Sequence, residues 1–150
     1  MDLPESIILD LFAGCGALGL ESISRGAEKA YLVDSSSKAM KIIKQNIAKT
    51  RTEESIIVLQ DDYLKALEKL KRNNIQFDFV FLDPPYKTDY AVKATEFIMD
   101  NGLVKDTGKI IIETDIEEDV LEKLKNISTV DIYDVKKYGR VTLIFIRRKG

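Results

Sequence analysis

The sequence predicts an α/β fold: a doubly wound, mostly parallel, seven-stranded sheet with helices on both faces and a C-terminal antiparallel hairpin. Three observations carry this. Short apolar runs of strand character alternate with longer segments of helical spacing from one end of the chain to the other. Helical segments of about 10–15 residues between strands imply right-handed crossovers and a parallel sheet covered on both faces. The last two strand-like segments are separated only by a turn near Gly139, too short for a crossover, so they must add an antiparallel strand.

In chain order, Ser6–Ala13 reads as a buried strand and Ala17–Arg25 as a helix ended by Gly26. Lys29–Asp34 is a second strand. Ser35, Ser36 and Ser37 offer an N-cap for a helix through about Lys49, with Ala39, Ile42, Ile43, Asn46 and Ile47 along one face. Ser55–Gln60 is a third strand, and Tyr63–Lys71 a helix with Leu64, Leu67 and Leu70 spaced for burial. Phe77–Asp83 is a fourth strand, stopped by Pro84 and Pro85, since proline supplies no ladder donor. Asp89–Asn101 reads as helix, Gly108–Glu113 as a fifth strand and Glu117–Lys125 as a helix. Thr129–Lys137 and Arg140–Arg148 form the hairpin. No internal repeat, linker or low-complexity stretch divides the chain, so residues 1–150 are expected to form one domain.

Composition narrows the class. The chain has 150 residues, 45% apolar and 32% charged, which excludes disordered, collagen-like and disulfide-dense classes. Its single cysteine cannot form an internal bridge, so nothing requires an oxidising compartment. Its apolar runs fall far short of the ~18 residues of a membrane span. The acidic stretch Met1–Glu5 lacks the basic and apolar regions of a leader. A cytoplasmic location is the expectation.

The formal charge is −2, but it is unevenly spread. Lys136, Lys137, Arg140, Arg147, Arg148 and Lys149 give residues 136–150 a local +6, leaving −8 on the remaining 135 residues. A basic tail of this kind suits contact with RNA or DNA; it also suits a solvated edge strand that resists aggregation.

Two loops carry the chemistry. Asp10–Gly19 follows the first strand and opens the first helix, with Gly14, Gly16 and Gly19 at dinucleotide-fingerprint spacing. Asp34 stands about 20 residues on at the end of the second strand, where a carboxylate binds ribose hydroxyls. Asp10 faces the same crevice. At an effective dielectric of 20, like charges about 4 Å apart cost roughly 4 kcal/mol, so a pyrophosphate is disfavoured there. S-adenosylmethionine, which has no phosphate and carries an ammonium and a sulfonium, suits Asp10 better than NAD. Asp10 can also brace the turn by a local hydrogen bond, a role that leaves the cofactor open.

The second loop is Asp83-Pro84-Pro85-Tyr86, at the carboxyl end of the fourth strand and therefore on the same crevice. Methyl transfer to an exocyclic amine needs acceptors that turn the nitrogen lone pair toward the sulfonium. Asp83 and a backbone carbonyl can do this on a loop stiffened by two prolines. Tyr86 offers a ring on which a splayed-out base stacks, worth about 1–3 kcal/mol.

DLFAGCGALGLESISRGA, FLDPPY and the late KKYGRVTL resemble the bacterial small-subunit (16S) ribosomal RNA guanine-N2 methyltransferase family, with the likeness running from Ile7 to Arg147. The resemblance implies the Rossmann-like class I fold that uses S-adenosylmethionine. It implies that Asp10, Phe12, Ala13, Gly14, Gly16 and Gly19 cradle the cofactor's methionine part and that Asp34 binds its ribose. Asp62 would face the adenine with Tyr63 beside it, Asp61 competing for that role. Asp83, Pro84 and Tyr86 would hold the guanine N2. The implied partner is ribosomal RNA or a small-subunit assembly intermediate; the basic charge of residues 136–149 makes them the candidate RNA contact, and scattered acids without Cys/His spacing predict no metal site. Tyr138-Gly139 matches a late family motif and also reads as a plain hairpin turn.

Three features depart from the family. Asp34 stands where glutamate is usual, and Cys15 replaces a small hydroxyl residue, read here as a space-filler without a neighbouring base. The family's upstream basic segment and helix are absent from a chain whose first strand starts almost at Met1, through native shortness or removal. The chain has no histidine, which excludes histidine general-base catalysis. The rival readings are adenine-N6 transfer on DNA or RNA, protein-glutamine transfer, an NAD-dependent oxidoreductase and a non-catalytic cofactor-binding domain.

Overall fold

The computed structural model describes residues 3–150. Met1 and Asp2, part of the acidic opening stretch read above as lacking a leader, lie outside the described residues. Strands and helices alternate as β1 (Ile7–Asp10), α1 (Ala17–Ser24), β2 (Lys29–Asp34), α2 (Ser37–Thr50), β3 (Ile56–Gln60) and α3 (Tyr63–Arg72). They continue as β4 (Phe77–Leu82), α4 (Tyr90–Asp100), β5 (Val104–Thr114), α5 (Glu117–Leu124), β6 (Val130–Tyr138) and β7 (Val141–Arg148). No helix among the described residues is long and apolar enough to cross a membrane.

The seven strands form one sheet in the order β3-β2-β1-β4-β5-β7-β6. From β3 to β5 all pairs are parallel; β7 inserts antiparallel between β5 and β6. The parallel strands are covered on both faces, which is why they read as near-continuous apolar runs. On one face Ile8, Ala30 and Leu32 pack with Met40, Ile43 and Ile47 of α2. On the other, Leu9, Val80, Ile110 and Ile112 pack with Leu67, Leu70, Ala94, Ile98, Val120 and Leu124 of α3, α4 and α5. Each such Leu or Ile contributes roughly 1.5–3 kcal/mol by leaving water. The chain leaves β1 toward β2 on one side and reaches β4 on the other. The carboxyl ends of β1 and β4 therefore flank a crevice at the point where strand order reverses.

Three elements differ from the sequence expectation. β1 stops at Asp10 rather than Ala13, because beyond it the backbone bonds alternately to its two neighbours: Leu11 N–H donates to the Phe81 carbonyl (3.2 Å) and Ala13 N–H to the Val33 carbonyl (2.8 Å). The buried face of α2 is Met40, Ile43 and Ile47, while Ile42 lies outward. β5 begins at Val104, four residues before the expected Gly108. Its pairing with β4 jumps register after Phe77, so its first residues carry no regular alternation.

Gly19 shows how close the layers are. A methyl group placed there would fall on the Leu32 side chain, which is fully buried. Gly19→Ala gains about 1 kcal/mol of helix propensity. It also overpacks the α1–β2 contact, where such insertions cost typically 1–3 kcal/mol. The expected outcome is a lower urea midpoint; a raised midpoint would show that α1 can move off the sheet freely.

Candidate active site

The loop after β1 is held by side chains arriving from α2 and β2. Asp34, at the end of β2, accepts from Gly14 N–H through Oδ2 and from Ser36 N–H through Oδ1, both at 2.9 Å, clamping the loop to the head of α2. Asn46 Nδ2 donates to the Cys15 carbonyl at 3.0 Å from α2. Gly14 (φ +58°) and Gly16 (φ +82°) take left-handed conformations that favour glycine. Gly16 is the N-cap of α1 and supplies no side-chain cap, so the first N–H groups of that helix are not closed off by a side chain.

The three glycines do not share one role. A Cβ at Gly14 meets nothing within 4 Å, and the residue lines the crevice. A Cβ at Gly16 would press on Leu32 and Ile43 at 3.2 and 3.3 Å. Gly16 and Gly19 thus secure the approach of loop and helix to β2 and α2, and neither lines the crevice. Both glycines are therefore required for packing, whatever their backbone meets on the ligand side.

Two adjoining cavities open at this edge, and Phe12 and Asp83 wall both. One, of about 380 Å³, runs between Gly14, Asp34, Asp61, Asp62 and Tyr63 on one side and Asp83, Pro84 and Pro85 on the other. The second, of about 630 Å³, is lined by Asp10, Phe12, Ala13, Cys15, Leu18, Phe81, Asp83, Ile111, Glu113, Leu143 and Phe145, among others. The two signature loops therefore share one crevice. Its floor is an aromatic cluster in which the Tyr63 ring lies 5.4 Å from that of Phe12 and 4.6 Å from that of Tyr90. Burial, with Asp89 next, pushes the Tyr63 hydroxyl up to about 12.

Asp62 N-caps α3, its Oδ2 accepting from Leu64 N–H (3.1 Å) and Lys65 N–H (3.3 Å). Asp61 is ion-paired with Lys69 at 2.7 Å, which holds its carboxyl below the usual range. With Asp61 pinned by both Lys69 and Asp62 N–H, Asp62 is the freer acceptor. Tyr86 is 68% exposed, with Lys87 Nζ 5.4 Å from its ring centre, so its ring is not packed inward. It stands beside a third cavity of about 230 Å³ that also touches Asp83 and Glu113. Thr88 Oγ1 donates to the Pro85 carbonyl at 2.9 Å, bracing the turn.

The basic tail does not form one patch. Antiparallel register sets Lys137 and Thr142 near the crevice edge, whereas Arg147 pairs with Lys109 and Asp131 toward the opposite end of the sheet. Several of its cations are already engaged: Lys137 with Glu117 (2.9 Å), Arg147 with Asp131 (2.7 Å) and Lys136 more loosely with Asp134 (3.9 Å). Glu117 raises the affinity of Lys137 for its proton. Tyr138, Gly139 and Arg140 form the exposed turn at the crevice end, with Gly139 at φ +64°. Among the described residues no group of three or more His, Cys, Asp and Glu is placed to hold a metal ion.

Two residues escaped the sequence reading. Tyr90 gives no signal that distinguishes it from a core aromatic, and Glu113 none that distinguishes it from a solvated strand end. Only the meeting of α4 and β5 with the Asp83 loop reveals them.

The crevice is electronegative. Asp10, Asp34, Asp61, Asp62, Asp83 and Glu113 line the two cavities, with no lysine or arginine among the lining residues. Asp10 is 4% exposed, and its carboxyl is pushed up from 3.8 to about 7, first by burial and then by Asp83 and Asp34, against a hydrogen bond from Phe12 N–H. A carboxyl raised on folding favours the folded state most below its unfolded value and loses that contribution as pH climbs through its folded value. Stability should therefore fall between about pH 4 and pH 7, by a few kcal/mol at most. Asp10→Asn should flatten that fall and melt higher than the parent at pH 8; equal pH slopes in the two proteins would refute the account.

The family model described as conserved hypothetical protein 95 matches residues 1–147. The Bacillus subtilis (strain 168) protein YlbH is 33% identical over 144 residues, covering 95% of this chain and 76% of its own length. Proteins named ribosomal RNA small subunit methyltransferase D are similar too. That of Buchnera aphidicola is 32% identical over 122 residues (81% of this chain, 59% of its own), and that of Haemophilus influenzae 31% over 121 residues (78% and 61%). The chain thus spans about three fifths of the length of these two relatives. A solved Streptococcus pyogenes structure, described as a conserved hypothetical protein, superposes with a TM-score of 0.84 at 32% identity, covering 99% of this chain and 89% of that one. With strand order, crevice and sequence all in agreement, the chain belongs to this family, that of the small-subunit ribosomal RNA methyltransferase D proteins.

Proposed function

We propose that this chain transfers a methyl group from S-adenosylmethionine to the exocyclic N2 amine of a guanine in small-subunit ribosomal RNA. The observation that carries the reading is the shared crevice, in which the glycine loop and the Asp83-Pro84-Pro85 turn face each other across walls that hold carboxylates and no cation. Such walls repel a pyrophosphate and attract an ammonium and a sulfonium. They favour S-adenosylmethionine over a nicotinamide dinucleotide. The names of the relatives supply the class of acceptor, ribosomal RNA of the small subunit.

The residues fit that cofactor in parts. Gly14 leaves open space where any side chain would intrude. Asp34, already turned toward the loop by its two backbone bonds, keeps lone pairs for ribose hydroxyls. Asp62 Oδ1 and the Tyr63 ring flank the adenine end, and Phe12, Ala13 and Asp10 the methionine end. When bound, S-adenosylmethionine supplies a methyl already activated by its sulfonium, so the protein's task is alignment. Asp83 accepts one amine hydrogen. Because the Pro85 carbonyl already receives Thr88, the Pro84 carbonyl is the loop's second acceptor. Tyr86, exposed and beside the loop, stacks on the guanine. Lacking histidine, the site lets the methylated amine lose its proton to water. Of the basic tail, only Lys136, Lys137 and Arg140 stand on the crevice side to meet RNA.

Mass spectrometry of nucleosides from unmodified ribosomal RNA treated with the chain tests the reading. N2-methylguanosine is expected, and N6-methyladenosine in its place would move the assignment to the adenine enzymes. Asp83→Ala should lower turnover about 100-fold or more, as removal of a reaction-site hydrogen-bonding group does elsewhere. Its affinity for S-adenosylhomocysteine should hold; residual turnover with lost affinity would contradict the role of Asp83. Gly14→Val should abolish S-adenosylhomocysteine binding by calorimetry, and undiminished binding would remove the glycine loop from the cofactor site.

A further inference from the structure

Glu113 lines the crevice, and it stands beside Asp83. Leu82 and Ile112 pair in parallel register, so Asp83 and Glu113 follow them side by side at the carboxyl ends of β4 and β5. Both side chains line the 630 Å³ cavity, and both line the smaller cavity beside Tyr86. Side by side at neighbouring strand ends, the two carboxyl groups interact, Asp83 raising the proton affinity of Glu113.

Two neighbouring carboxylates repel each other when both are ionised, and one proton held between them relieves that repulsion. Across the larger cavity stand Asp10 and Cys15; around the smaller one stand Tyr86, Lys87 and Asp115. β7 contributes the apolar Leu143 opposite Glu113. Glu117 at the head of α5 is taken by Lys137 and Thr142. Lys87, which lines the smaller cavity, sits over the Tyr86 ring. Partial burial, and then Asp83 itself, raise the proton affinity of Glu113 above the ordinary glutamate range.

We propose that Glu113 is a positioning residue for methyl transfer: as the neutral partner of a carboxyl–carboxylate pair, it donates its O–H to Asp83 and fixes that carboxylate with an oxygen free for the acceptor amine. This rests on the methyl-transfer reading above. Without the donated hydrogen bond the two groups repel, and Asp83 swings from the line on which the amine must be held. Alignment of that kind is where a site with no general base draws its rate. The pair also gives turnover an alkaline limb, since loss of the shared proton restores the repulsion.

The experiment compares Glu113→Ala and Glu113→Gln with the parent, reading kcat at saturating S-adenosylmethionine from pH 6 to 10, with S-adenosylhomocysteine affinity and melting temperature as controls. Glu113→Ala is expected to lower kcat about 10-fold or more, the scale of a misplaced reacting group, with cofactor affinity held. Glu113→Gln, whose amide N–H donates as the neutral acid does, is expected to restore most of the rate and to lose the alkaline limb. A glutamine variant as impaired as the alanine one would overturn the proposal, as would an alanine variant with undiminished kcat. If the parent methylates no RNA at all, the functional reading falls, and the pair is decided separately. Carbon-13 NMR titration of Glu113 should then show its proton affinity dropping in Asp83→Asn; no change would overturn the shared proton.

Discussion

Six carboxyl groups converge where β1 and β4 part, and among the described residues no lysine or arginine lines the two cavities between them. This concentration of negative charge is the constraint to which the rest of the site answers. It is unfavourable in the free protein: Asp10, shut from water and facing Asp83 and Asp34, is pushed up to about 7, and Glu113 rises beside Asp83. A fold keeps such a cluster against its own electrostatics when a ligand relieves it. A cationic ligand does so, and a phosphorylated one makes it worse.

The crevice keeps its shape in part because several of its acids also bond to the backbone. Asp34 fastens the glycine loop to α2, Asp62 caps α3, and Asp10 accepts from Phe12 N–H. These bonds make the walls rigid before anything binds, so less ordering is needed at the moment of binding. Beneath them, Phe12, Tyr63 and Tyr90 form a packed floor. Gly16 and Gly19 let loop and helix sit directly on Leu32. The approach of α1 to the sheet and the position of the loop are thus one feature of the packing.

The hairpin completes the site from the far side. Because β7 runs antiparallel to β5, the turn at Tyr138–Arg140 rises at the same edge as the Asp83 loop, while Leu143 and Phe145 extend the cavity wall. Glu117 ties the hairpin to α5 through Lys137 and Thr142. The same register carries Arg147 and Arg148 to the other end of the sheet. There Arg147 pairs with Asp131, and Arg148 donates to the Met99 carbonyl. A run of positive charge contiguous in sequence becomes two separate groups in space.

The amino-acid sequence by itself determined the alternation of strands and helices, the glycine turn after the first strand, the proline-stiffened turn after the fourth and the acids at strand ends. Each of these is a local property: a periodicity, a proline without a donor, a carboxylate at the end of an apolar run. Tertiary structure alone decided which of those residues meet. It turned Gly16 and Gly19 inward onto Leu32, set Tyr90 under the crevice, placed Met40 rather than Ile42 in the core and paired Glu113 with Asp83. Those outcomes depend on strand register and on the angle at which helices cross the sheet. Both are set by contacts between residues tens of positions apart, which no local pattern records.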